Sequence, residues 1–139
     1  DAPPDRYTCT PVYAAPEVLE TGCWTPQADL ASLGYVLVEL LSGRPPFLGI
    51  QGYAELVEAK RTLRQRLPEI LPTDVVRNDL LMHFCSRLVA PDPADRFDTA
   101  AQADTDKAGA AGFHRQLIKV DLASEYVKDI RAWLENLGE

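Results

Sequence analysis

The sequence predicts an all-α chain. Apolar residues recur at helical spacing over several long segments, helix-starting and helix-stopping residues bound those segments, and no convincing strand pattern of alternating residues is found. At 139 residues the chain is long enough for one domain. A domain of that size buries roughly 70% of the surface its unfolded form exposes, so a sizeable core is expected.

The elements follow in order. The first nine residues are polar, carry Pro3 and Pro4, and read as loop. Pro16 to Glu20 is a short helical turn with proline at its first position, where the missing N–H has no helical partner to lose. Thr25-Pro26 is a stronger start, a capping hydroxyl followed by proline, and Gly43 supplies a stop, so a helix is predicted from Pro26 to Ser42. Its Leu30, Leu33, Tyr35, Val36, Leu37, Val38, Leu40 and Leu41 cover nearly every direction at about 100° per residue, which marks a central helix rather than a superficial one.

After the Pro45-Pro46 loop, Tyr53 to Leu67 reads as a surface helix. Tyr53, Leu56, Val57 and Leu63 form its apolar side, Lys60, Arg61, Arg64 and Arg66 are expected to be exposed, and Pro68 and Pro72 end it. Asp74 is placed to cap the next helix, in which Val76, Leu80, Leu81, Phe84, Cys85 and Leu88 share one face and Arg77, Asn78, Asp79 and Arg87 the other. Pro91 and Pro93 close it. From Asp98 the composition turns to Ala, Asp and Gly, and Lys107 to Gly112 reads as a linker. Tyr126, Ile130, Trp133 and Leu137, with Val127 and Leu134 beside them, then form one apolar helical face, read as core packing ahead of a docking surface.

Charge and cysteine use exclude several classes of function. Lys plus Arg is 14 against 21 Asp plus Glu, a net charge of −7, which argues against nucleic acid as a partner. Cys9, Cys23 and Cys85 are odd in number and form no Cys-x-x-Cys pair, so neither a disulfide framework nor a zinc site is expected and the setting is read as cytoplasmic. With only two histidines, and His83 on the polar side of its helix, no metal site is expected. The longest apolar stretch, Leu33 to Leu41, is interrupted by Glu39 and falls short of the roughly 18 residues a membrane span needs. Asp1 to Pro4 is acidic and proline-bearing, unlike the opening of a signal peptide, and a membrane segment elsewhere in a longer parent is left open.

Four motifs carry the functional information. They are Thr10-Pro11-Val12-Tyr13-Ala14-Ala15-Pro16-Glu17, Asp29-Leu30-Ala31-Ser32-Leu33-Gly34, Gly43-Arg44-Pro45-Pro46-Phe47 and Asp92-Pro93-Ala94-Asp95-Arg96. In this order the set resembles the second half of a protein kinase domain, from the end of the activation segment onward. The resemblance implies a helical C-lobe portion of the kinase-like fold over residues 1–97, lacking the N-lobe and catalytic loop, followed by a helical C-terminal extension over 98–139. The Thr-Pro-x-Tyr form is that of Ser/Thr kinases. A bacterial eukaryotic-like type is the expected subclass.

Residue roles come with the resemblance. Thr10, Pro11 and Tyr13 belong to the P+1 loop that positions the substrate peptide, with Cys9 where the family usually has glycine. In the family the threonine at the position of Thr10 bonds the catalytic aspartate and a neighbouring lysine, neither of which is in these residues. Glu17 is expected to pair with Arg96, a bidentate carboxylate to guanidinium bond that ties the activation segment to the lobe. Asp29 opens the central helix and in the family accepts backbone N–H bonds from the catalytic loop. Ala31 stands where an aromatic is usual, which leaves packing space. Thr8 is a possible phosphorylation site.

The chain has no Gly-rich phosphate loop, Val-Ala-Ile-Lys, His-Arg-Asp or Asp-Phe-Gly motif, and His114-Arg115-Gln116 lacks the aspartate of a catalytic loop. No catalytic residue and no cofactor site is therefore expected here, and this portion should be inactive alone. ATP and magnesium belong to the parent, and a protein substrate meets it at the P+1 loop. The other reading is a pseudokinase or scaffold whose helical lobe serves as an interaction module. In either case one face of residues 26–42 is expected to be bare, for a second copy, another kinase segment or the tail helix to cover.

Overall fold

The computed structural model describes residues 11–105, 109–112, 114 and 132–136. Among the described residues every regular element is a helix or a 3-10 turn. After the turn Pro11–Tyr13 come α1 (Pro16–Thr21), α2 (Pro26–Ser42), α3 (Tyr53–Ile70), α4 (Thr73–Val76), α5 (Asp79–Leu88), a second turn at Pro93–Asp95, and α6 (Ala100–Thr105). The start of α2 follows from its capping chemistry: the Thr25 hydroxyl accepts the Ala28 N–H at 3.1 Å. Gly43, at φ 77°, then takes the left-handed conformation that stops the helix.

Three boundaries differ from expectation. α3 runs on through Pro68 to Ile70, since proline removes only the bond to the Arg64 carbonyl on the solvent side, and Leu71 N–H still reaches Leu67 O at 3.0 Å. The helix expected after Asp74 is broken into α4 and α5. Asn78, read as part of a polar face, is the cap of α5 and accepts the Leu81 N–H at 3.1 Å; Asp74 makes no cap bond. Within the stretch read as linker, residues 110–112 are helical, and Ala110 packs beside α6 because alanine offers a small apolar face to the core.

The core has two parts. α1 packs on α3, α2 on α5, and α4 touches both α3 and α5. The larger cluster gathers Ala14, Val18, Tyr35, Val38, Phe47, Leu63, Leu67 and Cys85, while Leu30, Phe84, Leu88, Phe97 and Ala103 form a smaller one. Ala31 is fully buried, and the aromatic it lacks is supplied one turn on by Tyr35, also fully buried on the same side of α2. α2 is not enclosed all round. Leu33, Val36 and Leu40, spaced along its opposite face, are exposed, Leu40 by 74%. No described element reaches over that face, which is the bare face expected of residues 26–42, while the other sides of the helix are central.

Trp133 and Leu134, expected in a core, are exposed by 62% and 54%, because no apolar surface of the described residues lies against them. The other expected residues of that face, Tyr126, Val127, Ile130 and Leu137, lie outside the described residues.

Candidate functional site

Glu17 sits in the first turn of α1, placed there by Pro16 at the helix start. Arg96 follows the turn Pro93–Asp95, which the Asp92 carboxylate caps by accepting the Ala94 N–H at 2.9 Å. The two meet across 79 residues. Arg96 Nη1 and Nη2 donate to Glu17 Oε2 and Oε1 at 2.6 and 3.0 Å, a bidentate fork. The same guanidinium donates to the carbonyls of Ala90 at 2.9 Å, Gln27 at 3.0 Å and Pro91 at 3.4 Å. Its side chain is wholly buried, and that of Glu17 is 21% exposed. One planar cation thus ties α1, the start of α2 and the segment after α5.

The Pro11–Tyr13 turn lies directly before this pair in the chain. Its Tyr13 hydroxyl donates to Glu39 Oε1 of α2 at 2.6 Å. That bond, with lesser help from burial and the nearby negative charge, raises the Tyr13 phenol above its usual range. Pro11 and Tyr13 are half-buried. Thr8 and Thr10 lie outside the described residues. Asp29 is exposed, in the first turn of α2. The Glu20–Arg61 ion pair between α1 and α3 is also exposed and adds little to stability.

One residue of the site departs from the sequence reading. Lys60, expected to be exposed on α3, is fully buried. Its ammonium donates to Pro11 O at 3.1 Å, Val12 O at 2.6 Å and Ala14 O at 2.5 Å. It also stands over the rings of Tyr35 and Phe47, 4.5 and 4.8 Å from their centroids. Those two rings meet edge to face at 5.1 Å. A signal was present in the sequence: Leu56, Lys60, Leu63 and Leu67 fall at the four-three-four spacing of one helix face, all four buried. A lysine centred on an otherwise leucine stripe points inward.

The arrangement holds the Pro11–Tyr13 turn against α2 and α3. Among the described residues no three His, Cys, Asp or Glu side chains gather as metal ligands. Tyr35 has a buried hydroxyl with no hydrogen-bond partner, and burial pushes its phenol well above the usual range.

Comparison with known proteins agrees with the order of the motifs. The family model described as "Protein kinase domain" matches residues 1–107. "Serine/threonine-protein kinase ATG1" of Colletotrichum lindemuthianum is 32% identical over 92 residues, 66% of this chain and 13% of that protein. "Serine/threonine-protein kinase PAK 4" of Mus musculus is 31% identical over 91 residues, again 66% of this chain and 15% of the relative. A shorter match, 50% identical over 46 residues, covers 33% of this chain and 6% of "U-box domain-containing protein 70" of Oryza sativa subsp. japonica. The chain therefore spans only a small part of the curated relatives it matches.

Proposed function

Because the chain belongs to the protein kinase domain family, we propose that it is the C-lobe portion of a serine/threonine kinase whose whole chain moves the γ-phosphoryl group of Mg-ATP to Ser or Thr of protein substrates. The observation that carries this reading is the Glu17–Arg96 fork, 2.6 and 3.0 Å across its two arms, at the positions where the resemblance puts it. Phosphoryl transfer depends on positioning and electrostatic stabilisation. This portion supplies the docking loop, with Thr10, Pro11 and Tyr13 as substrate-positioning residues, and the scaffold that holds it. The shell for ATP and magnesium belongs to the rest of the parent.

The finer parts of the reading share its status. They are the boundary between residues 1–97 and 98–139, phosphorylation at Thr8, a cytoplasmic setting and the bacterial type. The free thiols of Cys23 and Cys85 support the cytoplasmic setting. The family match runs past the proposed boundary to residue 107, and the named fungal, mouse and rice relatives lend the bacterial type no support. No helix among the described residues is long and apolar enough to cross a membrane.

The test is transfer from radiolabelled Mg-ATP by the whole protein, followed by phosphoamino acid analysis. Phosphoserine and phosphothreonine are expected, and residues 1–139 alone should show no specific Mg-ATP binding by calorimetry. Phosphotyrosine as the main product, or micromolar ATP binding by residues 1–139, would overturn the reading. Intact folding and partner binding with no transfer would favour the scaffold instead.

A further inference from the structure

Inside the protein the carbonyl oxygens of Pro11, Val12 and Ala14 converge on one point. Oxygens gathered in this way repel one another, and away from water each needs a donor. Among the described residues the turn that bears them has one backbone bond of its own, Ala14 N–H to Pro11 O at 3.2 Å, which leaves the Val12 and Ala14 carbonyls to find donors elsewhere. The Lys60 ammonium stands at the point of convergence. An ammonium has three N–H donors, and among the described residues three carbonyls lie within reach.

The described groups around that ammonium come from several elements. Lys60 projects from α3, Tyr35 from α2 and Phe47 from the loop after α2, so the turn is held against all three. Its far side is pinned independently by the Tyr13–Glu39 bond at 2.6 Å. Packing alone would be met by another leucine on the stripe of Leu56, Leu63 and Leu67, since burying an ammonium is expensive. A leucine would take the ammonium donor from the Val12 and Ala14 carbonyls and leave Pro11 O with only the Ala14 N–H.

We propose that Lys60 is the positioning residue of the peptide-docking turn: by gathering these carbonyls it fixes the orientation in which Pro11 and Tyr13 meet a protein substrate. Helix α3 thereby takes part in substrate selection without touching the substrate through this side chain. The inference rests on the kinase reading for what docks at the turn; the carbonyl cradle stands apart from it.

The experiment uses the whole protein with Lys60→Met, which keeps the length of the side chain and removes its charge and donors. Two readouts are taken. Hydrogen exchange at the Val12, Tyr13 and Ala14 amides should quicken by about tenfold or more while the α5 amides, 81–88, stay unchanged. The KM for a peptide substrate should rise by about tenfold or more while kcat and the KM for ATP stay within about twofold. Should the methionine variant not fold, Lys60→Ala with added propylammonium replaces it, and the free amine should restore slow exchange at the turn. Unchanged exchange at the turn, an equal rise across turn and α5, or a parallel loss in kcat and ATP affinity would each overturn the proposal. A wild-type protein that transfers no phosphate would instead remove the kinase reading, and the exchange measurement would still decide whether Lys60 holds the turn.

Discussion

Arg96 and Lys60 are both enclosed, yet Arg96 sets its planar fork on a carboxylate and three carbonyls drawn from α1, the start of α2 and the segment after α5, whereas Lys60 gathers three carbonyls of a single turn under two ring faces. The guanidinium presents rigid donors in fixed directions and so joins segments far apart in the chain; the ammonium is a compact point charge that suits a cluster of oxygens close together. One cation therefore holds the fold and the other shapes a small piece of its surface. The difference is between global and local stability, and mutation can separate the two.

The largest effect expected is from Arg96→Ala. It strands a partly buried Glu17 carboxylate and three carbonyls, and breaking a pair of this kind costs about 3–5 kcal/mol, whereas Arg64→Ala on the exposed side of α3 should change stability by no more than about 0.5 kcal/mol. Equal urea midpoints for the two variants would remove the global role of Arg96. Labelling of the buried Cys85 thiol gives a second measure, because it needs opening of the core. It should speed up in Arg96→Ala.

Lys60→Met should cost less, about 1–3 kcal/mol for carbonyls left without their donor, and should barely change the labelling of Cys85. A labelling rate that rises as much as in Arg96→Ala would erase the distinction between the two cations. Tyr35→Phe sharpens the comparison from the other side. It keeps the ring under Lys60 but deletes a buried hydroxyl that has no partner, so the urea midpoint should hold or rise by up to about 1 kcal/mol in stability. A loss instead would show that the hydroxyl has work beside the Arg96 pair.

The smallest effect at neutral pH comes from Cys85, whose thiol burial pushes up from 9.0 to about 11. The folded protein keeps the neutral thiol, so as pH passes 9 the unfolded chain loses the proton first and stability falls between pH 9 and 11. Below pH 9 both states are neutral and the contribution is fully present. Cys85→Ala should flatten that part of the stability profile relative to the parent, both measured in a Tyr35→Phe background to remove the share of Tyr35, with the share of Tyr13 common to the two. A profile equally steep without the thiol would show that other groups set it.

Where local chemistry decides structure, the sequence was legible. Thr25-Pro26 and Gly43 bound α2 as expected, and the Glu17–Arg96 geometry stands where the motif order put it. What escaped was decided by tertiary contacts. Asn78 and Asp79 read as a polar face because a cap and a solvated side share residue types, and only the α4–α5 bend distinguishes them. Lys60 was placed outside because lysine normally reaches water, although its spacing to Leu56 and Leu63 put it on the buried stripe. The all-round apolar pattern of α2 did not by itself say which side stays open; the bare face expected of it is the one bearing Leu33, Val36 and Leu40. Periodicity reports which faces can be buried, and what lies against each is settled elsewhere in the fold.

Gly34 carries a consequence for how related sequences can drift. A Cβ built on it would stand 2.8 Å from both Leu88 Cβ and Val89 Cγ1, closer than packed carbon atoms come, so α2 meets the end of α5 with no room for a methyl group. The next residue along, Ala90, lends its carbonyl to Arg96 Nε at 2.9 Å. A larger residue at position 34 would thus be felt at a guanidinium it never touches, through the displaced end of α5. Lineages that abandon this glycine should do so in company, with glycine arriving at 88 and a smaller side chain at 89, or with the end of α5 drawn back, and the three positions form one heritable unit of fit.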